Sequence, residues 1–164
     1  MMFREMRRKR QELTNAECVE ILKRNTSGVL AVSGDDGYPY AVPLSYVYDG
    51  GVLYFHCAKS GHKIDAINRL DKVSFCVVDQ DNVVPEEYTT FFRSVIVFGR
   101  ASVINQDDEI RNAIEKLAIK YYPDDSKTNR DFFINKEYAA LRMVKIEIEH
   151  MTGKEAIELV KKRG

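Results

Sequence analysis

Hydrophobic positions follow two different spacings along this chain, and the first of them predicts β-strands. Val29 to Ser33, Tyr40 to Tyr48 and Val52 to Ala58 are short segments rich in β-branched and aromatic residues, as strands are. Asp35-Asp-Gly37 and Asp49-Gly-Gly51 separate them and can adopt the positive φ of tight hairpin turns. These segments predict an antiparallel meander.

Three later segments predict further strands. They are Lys72 to Asp79, Arg93 to Ile104 and Tyr138 to Ile148, and they bring the predicted total to six. The stretch from Pro123 to Lys136 is polar and rich in turn-forming residues, so it predicts an irregular connection.

The second spacing, of three to four residues, predicts helices. Thr14-Asn-Ala-Glu17 has the sequence of a capping box, in which a Thr hydroxyl and a Glu carboxylate satisfy free backbone donors. A helix over about 15 to 25 should follow it. Thr152-Gly-Lys-Glu155 is a second such sequence and predicts a final helix. Apolar residues at helical spacing predict two more helices, over Gly61 to Leu70 and Asp107 to Tyr121.

The order of these elements predicts the fold class. Strands joined mostly by hairpins, with helices at separate places, fit a mainly β domain, a six-stranded antiparallel β-barrel with peripheral helices. We expect a single domain over 1–164, with a basic N-terminal arm at 1–13 and a C-terminal helix at 152–164. No Gly-x-Gly-x-x-Gly follows a strand, so a Rossmann dinucleotide site is not expected.

Charge and composition exclude some classes of binding partner and predict the cellular compartment. The 164 residues include 25 Lys and Arg and 25 Asp and Glu, so no net positive field would attract nucleic acid or an anionic membrane. We expect neither partner and interpret the basic run from Arg7 to Arg10 as a solvated arm. The sequence has no apolar run long enough to span a bilayer and no secretory signal at its N-terminus, which predicts a cytoplasmic protein.

The cysteines predict reduced thiols rather than disulfides or a metal site. Cys18, Cys57 and Cys76 are widely spaced and form no Cys-x-x-Cys pair. His56, Cys57 and His62 are close in sequence, but structural zinc takes four ligands with characteristic close pairs. We therefore predict no metal.

The segment Ala58-Lys-Ser-Gly-His-Lys63 is the main candidate site. It joins the end of a strand to the start of a helix, where free backbone N–H groups and the helix dipole favour an anion. Gly61 would let a phosphate approach the backbone, and Ser60 offers a hydroxyl. Side chains that add charge or donors are Lys59, His62 and Lys63. On these residues alone, a capped surface helix with solvated lysines explains the pattern equally well.

Other candidate residues also have structural interpretations. His56 should face the same side of its strand as Ala58 and could donate a proton, although such a histidine is more often a hydrogen-bonded wall residue. Arg93 and Ser94 place a cation and a hydroxyl at the start of an apolar strand, where a salt bridge would explain the arginine as well. The sequence contains no Gly-x-Ser-x-Gly, His-Glu-x-x-His or Walker motif, so an enzyme of this sequence would depend on a cofactor.

With these motifs in place, the chain resembles the pyridoxamine 5'-phosphate oxidase-like flavin-binding split barrels, and among them the nitroimidazole-resistance (Nim-type) proteins. The resemblance spans most of the chain. It depends on several motifs in order: Ala41-Val-Pro-Leu-Ser-Tyr46, Leu53-Tyr-Phe-His-Cys-Ala58, Gly61-His-Lys63 with Asp65-Ala-Ile67, Arg93-Ser-Val-Ile-Val-Phe-Gly-Arg100, and Met151-Thr-Gly-Lys-Glu155.

The resemblance implies a split barrel that forms a homodimer, with FMN in a groove between the two barrels. Strand residues would flank the isoalloxazine ring, residues at the end of the third strand would lie along the cofactor, and the start of the following helix would hold the phosphate. The implied ring contacts are Val42, Pro43, Leu44 and Ser45. The implied contacts along the cofactor are His56, Cys57 and Ala58, those to the phosphate are Ser60, His62 and Lys63, and Arg93 and Ser94 are further contacts.

The function implied by the resemblance is an FMN-dependent oxidoreductase. It would use a reduced nicotinamide or another electron donor to reduce a small planar acceptor, such as a nitroimidazole or another nitroaromatic, with His56 as the candidate catalytic residue. The chain ends in Lys161-Lys-Arg-Gly164 and lacks the arginine-rich C-terminal region of the oxidases that act on vitamin B6 phosphates. The alternatives are a family member without that oxidase activity, a non-catalytic flavin or haem carrier, a redox sensor, and a cofactor-free interaction domain.

Overall fold

The structure is a computed structural model that describes residues 3–164. These residues form one antiparallel seven-stranded sheet in the order β2-β1-β5-β6-β7-β4-β3, and the sheet is not closed. The strands are β1 (Ser27–Ser33), β2 (Pro39–Ser45), β3 (Val47–Asp49), β4 (Val52–Ala58), β5 (Lys72–Val84), β6 (Thr89–Val103) and β7 (Leu141–Glu155). The mainly β class with peripheral helices is confirmed, whereas the predicted number of six strands is wrong.

Helices lie before, between and after these strands. They are α1 (Asn15–Arg24), α2 (His62–Arg69), α3 (Asp107–Tyr121), α4 (Lys127–Glu137) and α5 (Ile157–Lys162). The capping box of α1 is confirmed, because Glu17 N donates to Thr14 Oγ1 over 3.2 Å and Thr14 N donates to Glu17 Oε2 over 2.7 Å. The spacing also predicts α2 and α3 correctly.

The additional strand arises where Tyr40 to Tyr48 was predicted to be continuous. Tyr46 interrupts this segment, so that β2 and β3 lie at opposite ends of the sheet order. The Tyr46 ring is fully buried, and its hydroxyl donates to the Leu22 carbonyl oxygen at the end of α1 over 2.7 Å. The meander is therefore wrong: β1 pairs with β2 and β3 with β4, but β2 and β3 do not pair with each other among residues 3–164.

The hairpin of β5 and β6 is longer than predicted. β5 continues to Val84 and β6 begins at Thr89, with a 3-10 turn over Pro85–Glu87 between them. Arg93 and Ser94 consequently lie within β6 and not at its start. The turn ends at Tyr88, which adopts a positive φ of 52°.

The predicted C-terminal helix is present as α5, but its predicted start at residue 152 is wrong, because the second capping-box sequence forms strand. Thr152 to Glu155 belongs to β7 and pairs with β6, with Glu155 opposite Arg93. The Glu155 side chain is 1% exposed and accepts a hydrogen bond from Arg93 Nε over 3.1 Å. This buried ion pair and the strand pairing outweigh the local preference for a helix start, so only α5 is helical here.

The irregular connection predicted over Pro123 to Lys136 is also wrong. Ser126 caps α4 by accepting a hydrogen bond from Asn129 N over 3.1 Å. The helix packs on a small apolar cluster separate from the main core, in which Ile134 lies with residues of α3 and β7. A polar helix with one buried apolar residue has little periodicity to detect.

The main core lies on one face of the sheet. Its largest buried side chains include Leu30, Phe55 and Phe75 from the strands, together with Ile21 and Leu22 from α1. Hydrophobic burial of this kind, worth about 25 cal/mol per Å² of apolar surface, stabilises the sheet and holds α1 and α2 against it.

The N-terminal arm is anchored at its end. Met1 and Met2 of the predicted arm lie outside the described residues, and Arg7 to Arg10 is exposed, as the interpretation of a solvated run requires. Gln11 is buried and donates through Nε2 to the Glu155 carbonyl oxygen over 2.9 Å. Leu13 N donates to the Gly153 carbonyl oxygen over 2.8 Å, which ties the arm to β7.

Candidate functional site

The end of β4 opens into a cavity of about 440 Å³. It lies between the ends of β2 and β4, the start of α2 and the C-terminal end of α4. Its lining residues are Leu44, His56, Cys57, Ala58, Lys63, Glu137, Ala140 and Leu141. Five of the twelve predicted site residues, Leu44, His56, Cys57, Ala58 and Lys63, therefore lie around one cavity.

The alternation of β4 places these side chains as predicted. His56 and Ala58 are exposed, whereas Cys57 between them is buried. Burial raises the pKa of the Cys57 thiol, while the positive charges of Lys63 and Arg142 act in the opposite direction. The thiol is consequently a packing residue of the cavity wall and not an activated nucleophile.

The start of α2 has the properties of an anion site. Gly61 precedes the helix with φ 143° and ψ 179°, a region open to glycine alone. No side chain within residues 3–164 caps this helix start, so its first backbone N–H groups stay free for a ligand. Ser60 is exposed and Lys63 lies in the first turn, which fits a phosphate group.

His62 has a different environment from the one predicted. Its ring stacks on Tyr40 with centroids 4.0 Å apart, and its Nε2 lies 3.8 Å from Asp35 Oδ2. This nitrogen is buried and finds no hydrogen-bond partner in the described part of the chain. Arg69, at the other end of α2, also contacts Asp35 and donates to the Ser33 carbonyl oxygen. His62 is thus held against the β1–β2 hairpin.

The predicted ring contacts on β2 do not all face the cavity. Leu44 lines it, and both Val42 and Leu44 pack against the main core. Pro43 is exposed on the opposite side of the strand, and Ser45 pairs with Ser27 at the start of β1. The structure therefore brings Leu44 alone of this group to the cavity.

Arg93 belongs to an internal ion-pair network. Its Nε donates to Glu155 Oε2 over 3.1 Å and its NH1 to Asp79 Oδ2 over 3.2 Å. Arg24 and Asn25 also donate to Asp79, and the Arg24 guanidinium is the main reason why the pKa of that carboxyl falls to about 2. The salt bridge that the sequence left open for Arg93 is present.

The network borders a separate cavity of about 440 Å³ beside α1, and Arg93 is one of the residues that line this cavity. Ser94 follows Arg93 on β6 and is half-buried opposite Lys154. The structure thus does not bring either residue to the cavity at the end of β4.

Four residues of the site were missed by sequence reasoning. Glu137, Ala140 and Leu141 line the cavity because α4 ends beside it. Arg142 lies opposite Cys57 in the pairing of β4 with β7, near enough to influence its pKa. Ser126 at a helix start was the one local signal for α4, whereas the position of Arg142 depends on strand register.

Residues 3–164 contain neither a candidate metal cluster nor a membrane-spanning helix. No group of three or more His, Cys, Asp or Glu side chains in this range could hold a metal ion. None of the helices described combines the length and apolar character needed to cross a membrane.

Comparison with known proteins gives the family. A sequence profile described as pyridoxamine 5'-phosphate oxidase matches residues 14–155. The chain belongs to this family. The resemblance inferred from the motifs is thereby confirmed. No curated protein matches the chain.

Solved structures with the same fold include flavin-binding members. A candidate 5-nitroimidazole antibiotic resistance protein from Bacteroides thetaiotaomicron is 20% identical, with a TM-score of 0.74 over 88% of this chain and 86% of that one. An FAD-binding protein from Mesorhizobium loti is 25% identical, with a TM-score of 0.65 over 89% and 97%. An FAD and haem binding protein from Mycobacterium smegmatis is 20% identical, with a TM-score of 0.72 over 94% and 80%.

Proposed function

We propose that this protein is a flavin-dependent oxidoreductase that binds FMN in the cavity at the end of β4. The observation that carries the proposal is the convergence of Leu44, His56, Ala58 and Lys63 on one cavity that opens beside the uncapped start of α2. Family membership and the flavin-binding proteins of the same fold support it.

The phosphate would lie at the start of α2. The free backbone N–H groups there, the hydroxyl of Ser60 and the ammonium of Lys63 supply donors and positive charge for a dianion. Gly61 leaves the approach open, since a Cβ built on it meets no atom within 4 Å in the described chain. His62 would act indirectly, by holding the first turn of α2 in place.

In the proposed homodimer, the second subunit would complete the flavin site. Val29, Val78, Ile96 and Phe98 are large apolar side chains exposed on one side of β1, β5 and β6. The register places Cys76 between Val29 and Ile96, so these strands form a continuous surface. Exposed apolar surface of this kind is typical of an interface, and a second copy of this chain would bury it around a twofold axis.

A bound flavin would carry electrons from a reduced nicotinamide to a small planar acceptor. Conversion of a nitro group to a nitroso group takes up two electrons and two protons and releases water, so the site has to supply protons as well. His56 is exposed to the cavity, and imidazole is suited to proton donation near neutral pH. We propose His56 as this donor in a cytoplasmic enzyme.

Turnover tests this function. FMN-loaded protein is mixed with NADH or NADPH and a nitroimidazole under anaerobic conditions, and oxidation of the nicotinamide is followed by its absorbance. Acceptor-dependent oxidation that is lost without FMN is the expected result. Retention of FMN without turnover would contradict the catalytic proposal and favour a carrier or a redox sensor.

A second candidate is an FAD-binding or haem-binding protein, favoured by the proteins of this fold that bind FAD, or FAD and haem. A polar cavity of about 580 Å³ adjoins α2, with two cations, two amides and one carboxylate in its lining: Lys59, Arg142, Asn68, Asn105 and Asp71. Its cations and amides could receive the additional phosphate and nucleoside of FAD. Competitive titration with FMN and FAD, each followed by flavin fluorescence, decides between these cofactors, and the visible spectrum reports haem.

A further inference from the structure

A further, apolar cavity lies between α3, α4 and the end of β4. Its volume is about 170 Å³, and apolar cavities of about 150 Å³ hold one benzene molecule. The lining residues are His56, Ile114, Leu117, Ala118, Tyr121, Phe133, Ile134, Glu137 and Leu141. Ile114, Leu117 and Ile134 form a buried floor, and Tyr121 and Phe133 form a rim that is about half exposed, at 53% each.

This cavity adjoins the candidate flavin site. His56, Glu137 and Leu141 line both of them. Lys63 lines only the flavin-site cavity and the apolar floor lines only the apolar one, whereas His56 and Glu137 line both. A ring on the apolar floor that points its polar group towards the flavin site would therefore place that group beside His56.

The charges of the lining restrict the class of ligand. Among the described residues that line the apolar cavity, Glu137 carries a full charge and no lysine or arginine is present. An anionic group buried here would lose its hydration without a cation to pair with, and it would be repelled by Glu137. A neutral ring loses little on transfer and gains contact with Tyr121 and Phe133.

We infer that this cavity between α3 and α4 binds the body of a neutral, single-ring aromatic acceptor and directs its reducible group towards His56 and Glu137. That the ligand is an electron acceptor rests on the proposed function, but the binding of such a ring does not require flavin. Ala118 is the small residue that leaves the space open between the larger apolar side chains.

Ring binding is measured on flavin-free protein with 4-fluoronitrobenzene as the probe, through its ¹⁹F NMR signal. Ala118→Trp should fill the cavity and weaken binding by about tenfold or more, whereas Asn112→Trp, at an exposed position of the same helix, should not. Ala118→Met fills less space and should give an intermediate loss if the tryptophan variant fails to fold. No saturable binding to the unmodified protein, or equal binding to folded Ala118→Trp and Asn112→Trp, would overturn the inference.

The charge of the ligand gives an independent test. Nitrobenzene and 4-nitrobenzoate are each used to displace the 4-fluoronitrobenzene probe. The carboxylate compound should bind about tenfold more weakly than nitrobenzene, and Glu137→Gln should make this difference in affinity smaller. Equal affinity for both compounds would contradict a site for neutral rings.

FMN titration of the same proteins separates this inference from the proposed function. If FMN does not bind but the ring does, the flavin proposal fails and the ring site stands. If FMN binds and Ala118→Trp leaves ring affinity unchanged, the ring site fails and the flavin proposal stands.

Discussion

The imidazole ring of His62 stacks on the phenol ring of Tyr40, with their centroids 4.0 Å apart. His62 opens α2 and Tyr40 lies in β2, so the contact fastens the first turn of the helix to the β1–β2 hairpin. Asp35 in the turn of that hairpin lies 3.8 Å from His62 Nε2. His62 therefore fixes the position of the start of α2, where the phosphate site is proposed.

Loss of this stack should destabilise the start of α2. His62→Ala and Tyr40→Ala are each expected to lower the free energy of unfolding, with a coupling of roughly 0.5–1.5 kcal/mol in a double-mutant cycle, because the two rings contact each other. Urea denaturation of the four proteins measures it. A coupling energy of zero would show that the contact contributes nothing.

Arg93 should matter for stability and not for flavin binding. Arg93→Met leaves Glu155, which is 1% exposed, without one of its cationic partners, and removal of one partner of a buried pair costs about 3 kcal/mol. The double variant Arg93→Met/Glu155→Gln should recover part of the loss. If Arg93→Met instead keeps its stability but loses FMN affinity, Arg93 is a flavin contact and its structural assignment is wrong.

The lowered pKa of Asp79 predicts that the stability of the protein depends on pH. This pKa is lowered from 3.8 to about 2, first by the hydrogen bond from Arg24, so the unfolded chain takes up this proton at a higher pH than the folded chain. The stabilisation is therefore complete above about pH 5 and is lost as the pH falls through about 2. The lowered pKa corresponds to about 2 kcal/mol.

The comparison with Asp79→Asn isolates this effect from the other carboxyl groups. The difference in unfolding free energy between the unmodified protein and this variant should decrease between about pH 5 and pH 3. Urea denaturation across that range measures it, and a difference that does not change with pH would refute the assignment.

Gly61 should be required for the shape of the phosphate site. Its φ of 143° and ψ of 179° are accessible to glycine alone, so Gly61→Ala should cost about 1–3 kcal/mol of stability. The variant should also bind FMN more weakly, because relief of the strain would move the backbone N–H groups at the start of α2. Thermal denaturation and FMN titration check both effects, and unchanged values in the two would show that the loop conformation is not needed.

The parts of the fold that the sequence predicts are those with strong local signals. The capping box at Thr14, the uninterrupted β4 and the periodic α3 appear where expected. Long-range contacts decide the rest. Glu155 is in a strand because Arg93 and strand pairing hold it there, although the sequence around it is that of a helix start.

The candidate site was predictable to a similar extent. His56, Ala58 and Lys63 could be placed because they adjoin one strand and one helix start in sequence. Glu137 and Arg142 reach the same region through the packing of α4 and the register of β7, which no short sequence pattern encodes.

The most direct test of the flavin site is an FMN titration of the unmodified protein, Lys63→Ala and Lys161→Ala. Lys63 lines the candidate cavity, whereas Lys161 is exposed on α5 and lines none of the cavities described above. Charge-assisted hydrogen bonds contribute roughly 1.5–3 kcal/mol, so Lys63→Ala should bind FMN about tenfold more weakly, or worse, while Lys161→Ala should match the unmodified protein. No FMN binding by the unmodified protein, or equal affinity in all three, would contradict the proposed site.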